Sequence, residues 1–333
     1  MKEIKIPIIS GLSIAATLAL LPIQVLAKDG QVTVTTDGHP GNFYHSSGKN
    51  FSGGFESSTN AHGKNDNNIV TITGVDSGGQ SMWNYTIYGG GNGDGTPTTP
   101  PFYYKQTSAA ENNTLNVYKG ATVAILVGGE GKGAQNNTVN LNDADVNNVV
   151  LGGNGTWYGQ ADSSGDAIHN IVNISGSTQV KYNNFINFNS TSVMGGRATG
   201  KNKANNNEVN IKGTPTIAGR IAGAAVENGD ADSNKVDINA IVNLANVSGV
   251  IASKDSTATL QNNIVTINND GAVVTDVLVA NGTGGGIGGP GGKATAKNNH
   301  GKLIKGTVGN INGAYMVSKT EKKSLYYRGW PCN

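Results

Sequence analysis

Seven acidic residues, Asp143, Asp145, Asp162, Asp166, Glu227, Asp230 and Asp232, are the candidates for acid–base chemistry. A glycosidase holds two carboxylates across a groove, one to give a proton and one to attack or to activate water. These seven fall in loops and at strand ends, scattered as surface charge is. A lyase acting on acidic sugars needs cations beside the substrate carboxylate, yet arginine occurs only at Arg197, Arg220 and Arg328. The five histidines, His39, His45, His62, His169 and His300, form no pair at metal-ligand spacing, and Cys332 is the single cysteine. The run Gly89 to Gly95 partly matches a calcium-binding nonapeptide, but it occurs once and its aspartate, Asp94, is one position early. The glycine-rich runs 129–134 and 282–289 lack the strand–loop–helix setting of a phosphate loop and read as flexible loops. No Gly-x-Ser-x-Gly nucleophile elbow is present. The expectation is therefore of no catalytic residues, no metal site and no cofactor.

Two other sets of residues stand out. Trp83, Tyr85, Tyr88, Phe102, Tyr103 and Tyr104, with Pro97, Pro100 and Pro101 among them, concentrate aromatic side chains in 83–105. Exposed Tyr and Trp suit contact with sugars or proteins, so these six are the candidate ligand contacts. The alternative is an insertion that packs on the body of the protein. A weaker aromatic patch is Tyr182, Phe185 and Phe188. The second set is asparagine, 44 residues, of which Asn68, Asn113, Asn137, Asn170, Asn207, Asn234 and Asn263 recur at equivalent places. Asparagine tolerates a left-handed corner, and stacked amides can donate and accept along a ladder. These seven are expected to be structural.

The elements that position these residues follow from an internal repeat. A polar pair ending in Asn is followed by any residue and then by apolar, polar, apolar, as in Asn136-Asn137-Thr138-Val139-Asn140-Leu141. The phrase begins at 67, 112, 136, 169, 206, 233 and 262, with a degraded copy at 298. A second station follows each phrase, an apolar stretch closing on small residues such as Leu126-Val127-Gly128-Gly129, and is read as a tight corner that lies close to the next coil. A polar loop of varying length then leads to the next phrase. Period-two alternation points Val70, Ile72, Val139, Leu141, Val172, Ile174 and their equivalents to one side. One unit offers too few apolar side chains to make a core alone, so the units must stack. The expected fold is all-β, a parallel β-solenoid, more narrowly a right-handed β-helix of about eight or nine coils.

Composition agrees. The chain has 333 residues, 49 of them glycine, with 36% hydrophobic and 14% charged residues. Such a mixture disfavours helices. With 24 Lys plus Arg against 22 Asp plus Glu, a nucleic-acid partner is not expected. Residues 1–27 read as a signal peptide: Lys2 and Lys5 head an apolar run from Ile6 to Leu26, and cleavage is expected after Ala27. Along the rest, 28–66 is an N-terminal cap or first coil and 67–280 the repeats, with the aromatic insertion at 83–105. Residues 281–297 read as a glycine-rich linker, 298–318 as a degraded last coil, and 319–333 as a disordered tail with no cap on the final edge.

The phrase Asn-Asn-x-Val-x-Ile, the apolar-Gly-Gly station and the Gly/Ala-rich return together resemble the passenger repeats of bacterial autotransporters, over roughly Asn67 to Ala280. The resemblance implies export, display at the cell surface or release, and adhesion to surface glycans or proteins of a host or neighbouring cell. It also implies a C-terminal outer-membrane β-barrel. No such strand series follows Ala280, so a separate barrel, or a truncated passenger without its own function, are alternatives. Self-association through an open solenoid edge is a further expected contact. The rival reading is a β-helical carbohydrate-active enzyme, a polysaccharide lyase or glycosidase.

Overall fold

The structure is a computed structural model. It describes the backbone of 24–26, 31–36, 39–40, 43–45 and 50–53, and then residues 66–73, 82–91, 109–155, 165–181, 191–253, 256–281 and 294–315. The side chains of 82–86 and of Gly91 and Tyr315 lie outside the description. So do the expected cleavage site, the 92–108 part of the aromatic segment, Tyr182, Phe185, Phe188 and the tail 319–333.

The third coil shows the plan. A short strand, Ala134–Gln135, enters a corner at Asn136. The first long strand, Thr138–Asn142, follows, and Asp143 turns the chain. The strand Asp145–Asn154 then completes the coil, with a register slip that bends it against the second coil's Thr122–Glu130. In the fourth and fifth coils this last element is divided, as Gln179–Val180 with Thr191–Ala198, and Thr216–Ile217 with Arg220–Val226.

Among the described residues eight coils stack in this way. Their first strands begin at Asn68, Thr114, Thr138, Ile171, Glu208, Lys235, Ile264 and His300. Each pairs parallel with the next in unbroken order, Val70 on Leu115, Leu115 on Val139, Val139 on Val172, and so on to Val265 on Gly301. At about 4.8 Å per step the rod is roughly 34 Å long. Its first coil is paired on the outer side by a reversed strand: Gln31–Thr36 runs antiparallel along Asn68–Thr73, from Gln31 opposite Thr73 to Thr36 opposite Asn68.

Burial follows the alternation. The inward Val, Ile and Leu of the first seven phrases, from Val70 and Ile72 to Val265 and Ile267, are all at most 2% exposed and belong to one continuous core. Full burial of each aliphatic side chain contributes about 1.5–3 kcal/mol. At the narrow corner beside the short strands the core is built of small residues, among them Ala167, Ala198, Ala204, Ala224 and Ala231.

Three sequence expectations are corrected. The Gly-Gly stations do lie close to the next coil, but they are not corners. Gly128-Gly129, Gly152-Gly153 and Gly195-Gly196 lie inside strands. They are glycine because a Cβ on Gly129, Gly153 or Gly196 would strike the amide of Asn137, Asn170 or Asn207. A Cβ on Gly128 or Gly152 would strike the next coil's carbonyl. The aromatic insertion does not begin at 83, since Met82–Gly91 is the first coil's closing strand and pairs with Thr122–Glu130. The expected linker yields its end to the eighth coil, because Thr295–Lys297 pairs in register with Thr259–Gln261.

Candidate functional site at the insertion edge

The two asparagines of each phrase do different work. The first is the corner. Asn67, Asn112, Asn136, His169, Asn206, Ser233, Asn262 and Asn298 all hold φ between 53° and 59°. Outside glycine, Asn visits this region most readily, which explains six of the eight. The second is the ladder. Asn68, Asn113, Asn137, Asn170, Asn207, Asn234 and Asn263 are each 0% exposed. Asn137 shows the pattern: its backbone N–H and its Nδ2 both donate to Asn170 Oδ1, at 3.2 and 2.9 Å, and its Nδ2 also donates to the Ala110 carbonyl at 2.9 Å. Each interior amide thus binds three coils, and the chain of bonds runs from Asn68 to Asn299. These side chains are spent on the fold.

The acids weighed for catalysis are mostly spent as well. Asp143 Oδ1 accepts from the Ser177 backbone N–H at 2.7 Å and from Ser177 Oγ at 3.0 Å, which hold its carboxyl below the usual range. Asp166 accepts from the Lys203 N–H, Asp230 from the Thr259 N–H, and Glu227 from the Gly200 N–H. Desolvation pushes Asp232 up, but hydrogen bonds from Asn262, Ser233 and Gln261 outweigh it and leave a net lowering. Each carboxylate satisfies backbone or side-chain donors, most of them of an adjoining coil. Asp145 sits in strand register with Gln179, and Asp162 is outside the described residues. Among the described residues no three His, Cys, Asp or Glu side chains gather as metal ligands.

One ionisable group behaves differently, and sequence reading missed it. Glu130 is not part of a flexible loop but the last residue of the strand Thr122–Glu130, and it is 4% exposed. Burial pushes its carboxyl up to about 8, against the opposing pull of the Arg197 guanidinium and of hydrogen bonds with Asn154 and Tyr88. The register explains the meeting: Glu130 stacks on Asn154, and Asn154 on Arg197, at the ends of three successive closing strands. Asn154 Oδ1 is buried without a hydrogen-bond partner. A glycine-rich neighbourhood concealed Glu130, because its burial comes from coils distant in sequence.

Tyr88 belongs to this cluster and is 4% exposed, packed with Val127, Leu151 and Met194. It is therefore removed from the candidate ligand contacts. The side chains of Trp83, Tyr85, Phe102, Tyr103 and Tyr104 lie outside the described residues. Beside the column is a cleft of about 210 Å³, with Arg197, Thr199, Glu227, Ile251 and Ser253 in its wall.

These groups share one place in the fold. In each of the first seven coils the closing strand ends and the chain passes to the next short strand through a connection, and all seven connections leave from the same longitudinal edge. They are 92–109, 131–133, 155–166, 199–203, 227–230, 253–258 and 282–294. Connection length varies most there, which defines an insertion edge; the other variable stretches are 74–81, before the first coil's closing strand, and 181–190, within the fourth coil's. The fold defines the class: this is a parallel β-solenoid. No family model, curated protein or solved structure matches the chain.

Proposed function

We propose that this chain is an exported, non-catalytic solenoid passenger, displayed on the cell surface or secreted, that acts by contact, in adhesion or surface coverage. The observation that carries the reading is the insertion edge. A solenoid that gathers most of its variable connections on one side uses a rigid rod to present an adaptable surface, and that side is commonly the binding face. The aromatic and proline-rich connection 92–109 follows Gly91, which is in register with Glu130. Its partners on this reading are glycans or proteins of a host or neighbouring cell, with a separate outer-membrane β-barrel as the means of display. The signal-like N-terminus and the resemblance of the repeats to autotransporter passengers support export.

Replacing 92–109 by Gly-Lys-Gly, the connection used at 131–133, tests this. Adherence of purified protein to cultured cells should fall to background while the melting temperature stays within a few degrees. Retained adherence would overturn the assignment of this edge.

A second reading rests on Glu130. A carboxylic acid kept neutral near pH 7 is what a general acid needs, and an arginine stands in its column. Against this, Glu227, at the cleft, belongs to the fifth coil, three steps or about 14 Å along the rod, beyond the separation of glycosidase pairs. Turnover of pectin, alginate, chitin or mucin glycans that disappears in Glu130→Gln would establish the enzyme.

A further inference from the structure

We propose that the solvent face of the first strands in coils one to four binds a neutral, extended, β-linked polysaccharide lying along the rod axis. The residues are Thr71, Asn116, Asn140 and Asn173, one per coil and stacked in register. They form a second amide ladder on the outside of the sheet. Asn116 Nδ2 donates to Thr71 Oγ1 at 3.3 Å, Asn140 Nδ2 to Asn116 Oδ1 at 2.8 Å, and Asn173 Nδ2 to Asn140 Oδ1 at 2.8 Å. Each bond uses one of two amide protons and one of two lone pairs, so each coil keeps a donor and an acceptor for a ligand. Because the ladder fixes every amide, little rotamer entropy is lost on binding.

Three features select the ligand. The donor–acceptor pairs repeat at about 4.8 Å, near the rise per sugar of an extended β-linked chain, whose alternately flipped rings would offer different hydroxyls to successive coils. The face is uncharged: no outward position of these four strands carries an ionisable carboxylate, lysine, arginine or histidine. Along the rod charge begins in coils five and six, where Lys235 bridges Glu208 at 3.5 Å and Asp237 at 2.9 Å; across it, Lys119 after Tyr118 and Asp143 after Asn142 border the strand ends. The third feature is Tyr118, at the end of the second coil's strand, its backbone N–H bound to the Ile72 carbonyl. It is 38% exposed, the one exposed aromatic among the described residues. An aromatic ring beside a row of amides offers a stacking surface for the C–H face of a sugar and hydrogen bonds for its hydroxyls. A protein partner would call instead for a buried apolar anchor.

The site is separate from the insertion edge, so the two readings fail independently. The full chain is sedimented with microcrystalline cellulose and with colloidal chitin, with alginate and heparin as anionic controls. Binding to at least one neutral polymer is expected, little changed between 0.05 and about 1 M salt because no ion pair is involved. Tyr118→Ala with Asn140→Ala should weaken it about tenfold or more, the effect of losing an aromatic anchor. Thr138→Glu, which adds a charge to the face, should do the same without removing a ladder member, and thermal melts establish that both variants are folded. Replacing 92–109 should leave this binding intact. Failure to bind either neutral polymer, binding confined to the anionic ones, or binding that survives Thr138→Glu would overturn the proposal.

Discussion

Asn170 and Asn136 are the same amino acid in unlike roles. Replacing Asn170 by Ala leaves the Asn137 N–H, an Asn137 amide proton and the Ala134 carbonyl without their partners in a dry interior. Each such orphan costs about 1–3 kcal/mol, so a loss of several kcal/mol is expected. Asn136→Ala forces a Cβ-bearing residue without a local amide into φ 55° and should cost about 1–2 kcal/mol. Asn136→Gly should be close to neutral. Urea midpoints of the three variants check the ordering. Glu130 gives a second prediction at this scale. Its carboxyl loses a proton near 4.5 in the unfolded chain and near 8 in the folded one. Between those values the folded state keeps a proton the unfolded state has released. Stability therefore falls as pH rises through that window, by a few kcal/mol in all, and levels off above it. In Glu130→Gln the fall should disappear, leaving the variant more stable than the parent at pH 9. Equal slopes in urea melts from pH 5 to 9 would refute the assignment.

At the scale of the strand, register decides everything. Val172 pairs with Val139 on one side and Val209 on the other and is 0% exposed. Val172→Asp places a carboxylate among aliphatic side chains with no cation near it and should cost several kcal/mol, or abolish folding. Asn173→Asp, one position along and facing solvent, should be tolerated far better. Comparable melting curves for the two would mean that the strand is shifted by one residue. Gly153 supplies the complementary constraint. The closing strand lies so near the ladder that Gly153→Ala should lower the melting temperature although alanine is the smallest possible change.

At the scale of the whole molecule the rod is close to one-dimensional, and each coil contacts only its neighbours. Interior coils are held from two sides, and the first coil is covered on its outer side by Gln31–Thr36, but among the described residues the eighth coil is paired from one side only. Asn263 donates to Asn299, and Asn299 donates back to the Leu260 carbonyl. Its coil is mostly exposed, with Leu303 at 41% and Ile304 at 61%. Asn299→Ala should therefore cost clearly less than Asn170→Ala, and amide exchange should be fastest in His300–Tyr315 and slowest in Ile171–Ser175. Uniform protection along the rod would show that the eighth coil is supported as firmly as the fourth.

The solenoid, its coil number and its inward ladder were legible because they rest on periodicity. A phrase repeated seven times with strict alternation, and once more in degraded form, admits few foldings that bury its aliphatic side chains. The ladder asparagines were legible for the same reason, each lying at the same place in its phrase. Three things were decided only by stacking. The separation of corner Asn from buried Asn depends on which amide meets the next coil. The glycine pairs are set by the width of Asn137, Asn170 and Asn207, which come later in the chain than the glycines they constrain. The meeting of Tyr88, Glu130, Asn154 and Arg197 depends on connections of unequal length returning to equal height. Local sequence encodes the period of a strand, but the environment of a side chain on a solenoid is made by the coils above and below it, and those are set by register.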